Sequence, residues 1–363
     1  MIIKEIRVHL IRLPWAGMPL GGRASGPREL VVVEVETSSG LVGLGYVMPL
    51  RGGIETIGMC LKELIVPRLI GKEATQIEGI WQDLWRATYT VGRMGITLVA
   101  MSAIDIALWD LLGKKAGSPL YKLWGGFRTE IPAYGSGCWR GLGAEGMIEK
   151  AKSYLAQGFK AIKMQVGFMP NWQTEVERVC LMREALGSHI DIMLDATMAW
   201  TADQAIFIGR KFEPYDVFWL EEPVNCEDFE GYFLVAEKVN IRIVGGEKHF
   251  TRFDFRPFFK NPRIPILMPD VMRGGLTEMR KIAAVADTWG LTISPHLFPE
   301  LMVQIMASIP NGLMLEYLDF LDDLWVEPVL PKNGMMSPSQ KPGHGLSFKE
   351  RFSAKAGFWG EQR

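Results

Sequence analysis

The stretch that decides the fold runs from residue 191 to 247, where three apolar runs each end in an acid: DIMLDAT (191–197), VFWLEEP (217–223) and RIVGGE (242–247). Asp195, Glu221 and Glu247 stand 26 residues apart, each from the next. A strand followed by its returning helix takes about this length, so the three carboxylates are predicted to close successive strands of a parallel sheet. A single acid after a strand is usually only solvated. Three in phase bring together hard oxygen donors that suit a cation such as Mg2+.

The beat continues on both sides. Upstream lie IPAYGS (131–136) and KAIKMQVG (160–167); downstream lie IPILMPD ending at Asp270, LTISPH ending at His296 and GLMLEY carrying Glu316. Between them AEGMIEKAKSYLAQG, QTEVERVCLMREALG and LTEMRKIAAVADTWG place apolar residues at three- and four-residue spacing, the helical period. The strands are apolar on both faces, as a sheet covered by helices requires. Eight strands with seven intervening helical or helix-like segments predict an α/β fold, a modified TIM barrel of the form (β/α)7β. In such barrels the chemistry sits at the C-terminal strand ends, where every polar residue just named is placed.

At 363 residues the chain is long enough for a barrel and a second module. Three strand-like runs (2–13, 30–38, 40–48), with SSG as a hairpin turn, precede helical patterns at 53–67, 76–88 and 95–115. The expected division is an α+β capping domain over 1–125, the barrel over 126–320, and a tail over 321–363 that returns to the capping domain. A net charge of −1 gives no electrostatic reason to expect nucleic acid or an anionic membrane as partner. The cysteines, Cys60, Cys138, Cys180 and Cys226, show no CxxC spacing and read as reduced thiols of a cytoplasmic protein. The opening MIIKEIRV carries charges where a signal peptide needs an apolar core, so none is expected. GITLVAMSAIDIALWDLLG is broken by Asp105 and Asp110 and is expected to be a buried helix, with no membrane span.

Side-chain alternation along KAIKMQ turns Lys163 and Gln165 to one face and Lys160 to the other. An ammonium facing a barrel interior is costly without a purpose, so Lys163 is a candidate catalytic residue and Lys160 an ordinary surface lysine. Asp270 and His296 end adjacent strands, and an Asp bonded to one imidazole nitrogen makes the other a better base. His249, two residues after Glu247, is a further candidate to face the site. Glu316, near other carboxylates, is expected to stay protonated and donate a hydrogen bond. Gly141-Leu-Gly143-Ala-Glu-Gly146 matches a dinucleotide fingerprint, but the following strand offers Lys163 and Gln165 where that fold needs an acid. Those glycines read as a loop and a helix start.

AIKMQVG, IMLDATMAW, FWLEEP, GGEKH, MPDVMRGG, SPHLFPE and MLEYLD, in this order, make the whole chain resemble the mandelate racemase/muconate lactonizing enzyme family of the enolase superfamily, in its mandelate racemase branch. The resemblance implies Mg2+ held by Asp195, Glu221 and Glu247, with Glu222 behind them and Lys248 and Arg273 in similar supporting positions. It implies Asp270 and His296 as a general-base dyad, Lys163 as the first lysine of the family's KxK pair, and Glu316 as the acid closing the ring. The shared chemistry removes a proton alpha to a carboxylate, and the dianionic enediolate it creates needs a cation, a lysine and a hydrogen-bond donor.

Gln165 departs from the second lysine that racemases of this branch use on the opposite face, and an amide cannot take up a proton. The expectation is therefore an acid-sugar dehydratase: His296 removes the alpha proton, then protonates a leaving hydroxyl on the same face. Thr197 stands where relatives often carry Asn. Ser136, Gln165, Thr197 and Arg23 are the expected substrate contacts, with Arg28 a further candidate in the 18–29 loop. The rival readings are a racemase, epimerase or other isomerase of a 2-hydroxy acid, and a non-catalytic metal- or ligand-binding relative. The resemblance also implies a homo-oligomer, a dimer or an octamer.

Overall fold

The computed structural model describes residues 1–14, 27–50 and 52–349, with the backbone of 357 and 358. Arg23 lies outside them. The N-terminal part is a meander of β1 (Ile3–Leu13), β2 (Arg28–Thr37) and β3 (Val42–Val47), all antiparallel. The turn between β2 and β3 closes on Gly40, whose φ of 79° a side chain would strain. Helices α1 (Ile54–Cys60) and α3 (Ile96–Ala116) cover this sheet, and α2 (Ile77–Thr88) packs on α3.

Helix α3 is buried almost all round because it lies between the sheet and the barrel. It is long and apolar enough to cross a membrane, yet most of that length is inside the protein. Its close approach to β3 depends on Gly43 and Gly45, where a Cβ would collide with the carbonyls of Ala107 and Ala103. Asp105 and Asp110, the charges that break its apolar run, both find partners. Asp105 accepts from the Thr277 N–H at 2.9 Å, and Asp110 pairs with Lys114 at 2.6 Å. The short α4 (Leu120–Leu123) leads into the barrel.

Eight parallel strands then alternate with helices: β4 (Ile131–Cys138), α5 (Gly143–Leu155), β5 (Ala161–Gln165), α6 (Trp172–Leu186), β6 (Asp191–Asp195), α7 (Ala202–Phe212), β7 (Val217–Glu221) and α8 (Phe229–Lys238). The second half is built of β8 (Arg242–Val244), a one-turn α9 (Arg256–Phe259), β9 (Ile266–Leu267), α10 (Gly275–Thr288), β10 (Thr292–Ile293), α11 (Pro299–Met306) and β11 (Leu315–Tyr317). Strands β11, β4, β5, β6, β7 and β8 form one run, and β9 pairs with β10. Parallel bridges Gly245–Leu267 and Ile293–Gly312 join the two runs into a closed barrel. The sequence legislates several helix starts. Asn171 caps α6, Asp228 caps α8, and Thr201 with Gln204 forms a capping box on α7.

After β11 the chain crosses back. β12 (Met335–Met336) pairs antiparallel with β4, and β13 (Gly357–Phe358) adds to the edge of β1. His344 is wholly buried, with its Nε2 2.7 Å from the Leu44 carbonyl of β3. The LSF run makes a single bridge, Phe348 to Trp325, in place of a strand.

Candidate active site

Parallel register places Gln165 beside Asp195, and Asp195 beside Glu221, in one row across the C-terminal ends of β5, β6 and β7. Strand alternation then turns Lys163 and Gln165 into the same mouth. Lys160, by contrast, is exposed. The Lys163 ammonium sits 3.1 Å from Glu221 Oε1 and 2.8 Å from Glu316 Oε1. Burial alone would lower the Lys163 pKa, but Glu221 and Glu316 outweigh it and hold it well above its ordinary value. Lys163 is a fixed positive charge. Glu221 is fully buried and is pushed well up by that burial, which Lys163 offsets only in part.

Glu316 corrects an expectation. In place of a protonated donor the structure shows an acceptor: Ser136 Oγ donates at 2.5 Å, the Leu297 N–H at 2.9 Å, and Lys163 completes the set. Burial would raise Glu316, but Lys163, His296 and these donors together hold it at about 2. Ser136, expected to face substrate, spends its hydroxyl on Glu316.

Across the mouth, His296 Nδ1 lies 2.8 Å from Asp270 Oδ2, while Asp270 Oδ1 accepts from the Met272 N–H at 2.7 Å. The carboxylate is thereby held on both oxygens and fixes the ring. His296 Nε2 faces Glu247 Oε2 at 3.2 Å, so the base and the third acid meet. Lys248 bridges Glu247 and Glu222, 3.2 Å from the latter. Glu222 is buried, which raises its pKa, and takes a positive φ of 42°. Among the described residues, six of the eight non-glycine positions with positive φ belong to loops at this end: Phe168, Thr197, Met198, Glu222, Leu297 and Phe298. Backbone strain is concentrated where the side chains must be aimed.

Several expected contacts go elsewhere. Arg28 pairs with Asp323 and donates to the Phe320 carbonyl, pinning the returning tail. His249 is packed among Phe229, Phe255 and Phe258, with ring centroids 5.2–5.6 Å away, outside the mouth. Arg273 lies over the Phe250 ring at 5.0 Å rather than behind a carboxylate. The residue the sequence reading missed is Arg140, directly before the glycine pattern. Its guanidinium reaches Gln165 Oε1 at 3.4 Å, the Gly167 carbonyl at 3.1 Å and Thr197 Oγ1 at 2.9 Å. The signal is an arginine two residues past a strand end, hidden beside a familiar but irrelevant motif.

Asp195, Glu221 and Glu247 fit Mg2+ as a donor set. All are buried carboxylates, and Glu221 Oε2 makes no hydrogen bond, with only the Lys163 ammonium 3.0 Å away as its ion-pair partner. Among the described residues no three His, Cys, Asp or Glu side chains stand as one ready coordination shell. Each acid is instead met by a local positive group: the Thr197 N–H on Asp195 at 2.8 Å, Lys163 on Glu221, and Lys248 on Glu247. Three buried carboxylates at neighbouring strand ends have the hard-oxygen chemistry that suits such a cation.

Residues 11–125 match the model of the mandelate racemase/muconate lactonizing enzyme N-terminal domain, and residues 146–352 that of the enolase C-terminal domain-like family. The 3,6-anhydro-alpha-L-galactonate cycloisomerase of Streptomyces coelicolor is 36% identical over 95% of this chain and 96% of its own. A racemase from Streptomyces coelicolor, solved with bound magnesium, superposes with a TM-score of 0.94 at 35% identity, covering 98% of this chain and 100% of the other. L-talarate dehydratase from Polaromonas sp. JS666, solved with Mg and L-glucarate, gives a TM-score of 0.89 at 30% identity over 99% and 98% of the two chains.

Proposed function

This chain belongs to the mandelate racemase/muconate lactonizing enzyme family of the enolase superfamily, an enzyme family that works with Mg2+, and from that premise we propose that it dehydrates an acid sugar to a 2-keto-3-deoxy acid. The observation that carries the reading is a single competent base. His296 is oriented by Asp270 at 2.8 Å, while the position across the mouth holds the amide of Gln165.

The Asp270 carboxylate takes the Nδ1 proton as its hydrogen bond, which leaves the Nε2 lone pair to accept the alpha proton of the substrate. Lys163 stays charged between Glu221 and Glu316 and donates to the substrate carboxyl as negative charge develops there. Glu316, ionised, holds Lys163 in place. Mg2+, held by Asp195, Glu221 and Glu247, would supply the remaining positive charge beside that carboxyl. His296 then returns its proton to the hydroxyl on the neighbouring carbon, which leaves as water on the same face. Gln165 can take up no proton, which disfavours two-base racemisation.

The cycloisomerase relative favours a second reading with the same residues. If the oxygen on the neighbouring carbon belongs to a ring, its expulsion opens the ring and no water is lost. The experiment is a screen of mono- and di-acid sugars and their anhydro and lactone forms with Mg2+, read by product mass. A product lighter by one water establishes dehydration. A product of unchanged mass bearing a keto group establishes cycloisomerisation. Deuterium at the alpha carbon in D2O, with no new functional group, would overturn both in favour of epimerisation.

A further inference from the structure

The Arg140 guanidinium touches two side chains at the barrel mouth, Gln165 and Thr197. It also meets the Gly167 carbonyl at 3.1 Å and lies 4.8 Å from the Phe168 ring centroid, so it is clamped from several sides. A guanidinium has donors only. Any amide bonded to it must therefore offer its oxygen, and Gln165 does so at 3.4 Å. The amide NH2 is then turned away from Arg140, and the side chain is buried in the mouth two residues beyond Lys163. The same logic applies to Thr197. Its Oγ1 accepts from Arg140 at 2.9 Å, which leaves the hydroxyl proton to donate elsewhere, and its backbone is fixed by the N–H bond to Asp195.

These residues close β5 and β6, the second and third strands of the barrel, whereas His296 closes the seventh. The third and seventh strands, four apart among eight, face one another across the mouth, and the second lies beside the third. We propose that Arg140 is a positioning residue that fixes Gln165 and Thr197 as hydrogen-bond donors, so the enzyme selects acids bearing acceptor oxygens on the side away from His296. This rests on the acid-sugar reading and deepens it. The leaving hydroxyl is handled on the His296 side, and the oxygens that remain on the sugar are read on the Gln165 side. A fixed donor cannot become a base, so selection there adds nothing to racemisation.

Gln165→Glu separates this from the alternatives. The carboxylate keeps the size of the amide and pairs more strongly with Arg140, but it has no N–H to give. In the Mg2+-loaded full-length enzyme, KM for the acid sugar found by the screen (L-glucarate being one member) should rise about 10- to 100-fold, with the thermal midpoint unchanged or higher. Inhibition by oxalate, which reaches only the metal end, should change by less than about twofold. Arg140→Met frees the amide to turn and should raise KM about 10-fold, and the double variant should be no worse than the poorer single one.

An unchanged KM in Gln165→Glu with a raised KM in Arg140→Met would mean that Arg140 itself grips the substrate, and would overturn the proposal. Loss of thermal stability in Arg140→Met with both kinetic constants intact would reduce it to a structural clamp, also overturning it. Turnover of no acid sugar by the wild type would overturn the acid-sugar reading and this inference with it, whereas turnover with KM unmoved in Gln165→Glu sinks this inference alone.

Discussion

The floor and the mouth of the barrel are made by the same strands, two residues apart. Tyr134, Ala161, Met193, Trp219, Met268 and Met314 belong to the apolar floor, where Tyr134 and Trp219 meet edge to face at 5.3 Å. Two positions further along the same strands stand Ser136, Lys163, Asp195, Glu221, Asp270 and Glu316. Alternation turns both sets inward, and one strand period of roughly 6.6 Å separates them. The floor is apolar packing in which the Tyr134 hydroxyl and the Trp219 indole N–H go without a hydrogen-bond partner, whereas the mouth crowds together buried charges and left-handed side-chain-bearing residues. Stability and chemistry are thus segregated by depth within a single set of strands.

The strongest way to break this division is at the mouth. His296→Asn should lower kcat by about 10³-fold or more, as loss of a general base does, while urea unfolding in saturating Mg2+ stays near wild type. Near-normal turnover would remove His296 from the mechanism. At the floor, Trp219→Ala should cost about 3–5 kcal/mol of unfolding free energy through the cavity it leaves. A cost below about 1 kcal/mol would show that the floor does not carry stability.

Where α11 meets the N-terminal sheet, burial of a charge can be probed by pH. Glu300, at the start of α11, is fully buried and accepts a hydrogen bond from Tyr46 of β3. Burial raises its pKa from 4.5 to about 7, so between those values the folded state binds more protons than the unfolded one. Its contribution is therefore full below pH 4.5 and lost as the pH rises to about 7. Glu300→Gln should flatten the fall of the thermal midpoint over that window, gaining about 1–3 kcal/mol at pH 7 relative to wild type. Identical pH slopes for the two proteins would show that Glu300 titrates normally. The smallest effect sharpens the contrast: Met193→Leu should cost less than about 1.5 kcal/mol and leave kcat unchanged. A kcat effect there would mean that floor packing sets the mouth geometry.

Much was legible because barrels write themselves locally. The 26-residue spacing of Asp195, Glu221 and Glu247, and of Asp270 and His296, is a strand-and-helix length, so strand order and the acids at strand ends followed from counting. Period-two alternation likewise paired Lys163 with Gln165. What failed was direction and partner. Strand counting puts Ser136 at the mouth but cannot show that it faces Glu316, nor that Arg28 pairs with Asp323 and Arg273 lies over Phe250.

The sequence by itself thus determined which strands exist and which residues end them, because those depend on short-range periodicity. Only the tertiary structure decided that Glu316 is an acceptor, that Arg140 turns Gln165 and Thr197 into donors, and that the tail seals the N-terminal sheet. Each depends on who stands opposite in space. Lys163 and Glu316 lie 153 residues apart in the chain and 2.8 Å apart in the barrel. The protonation of a buried group and the orientation of an amide are set by such neighbours, whose charges act through a medium that screens them weakly.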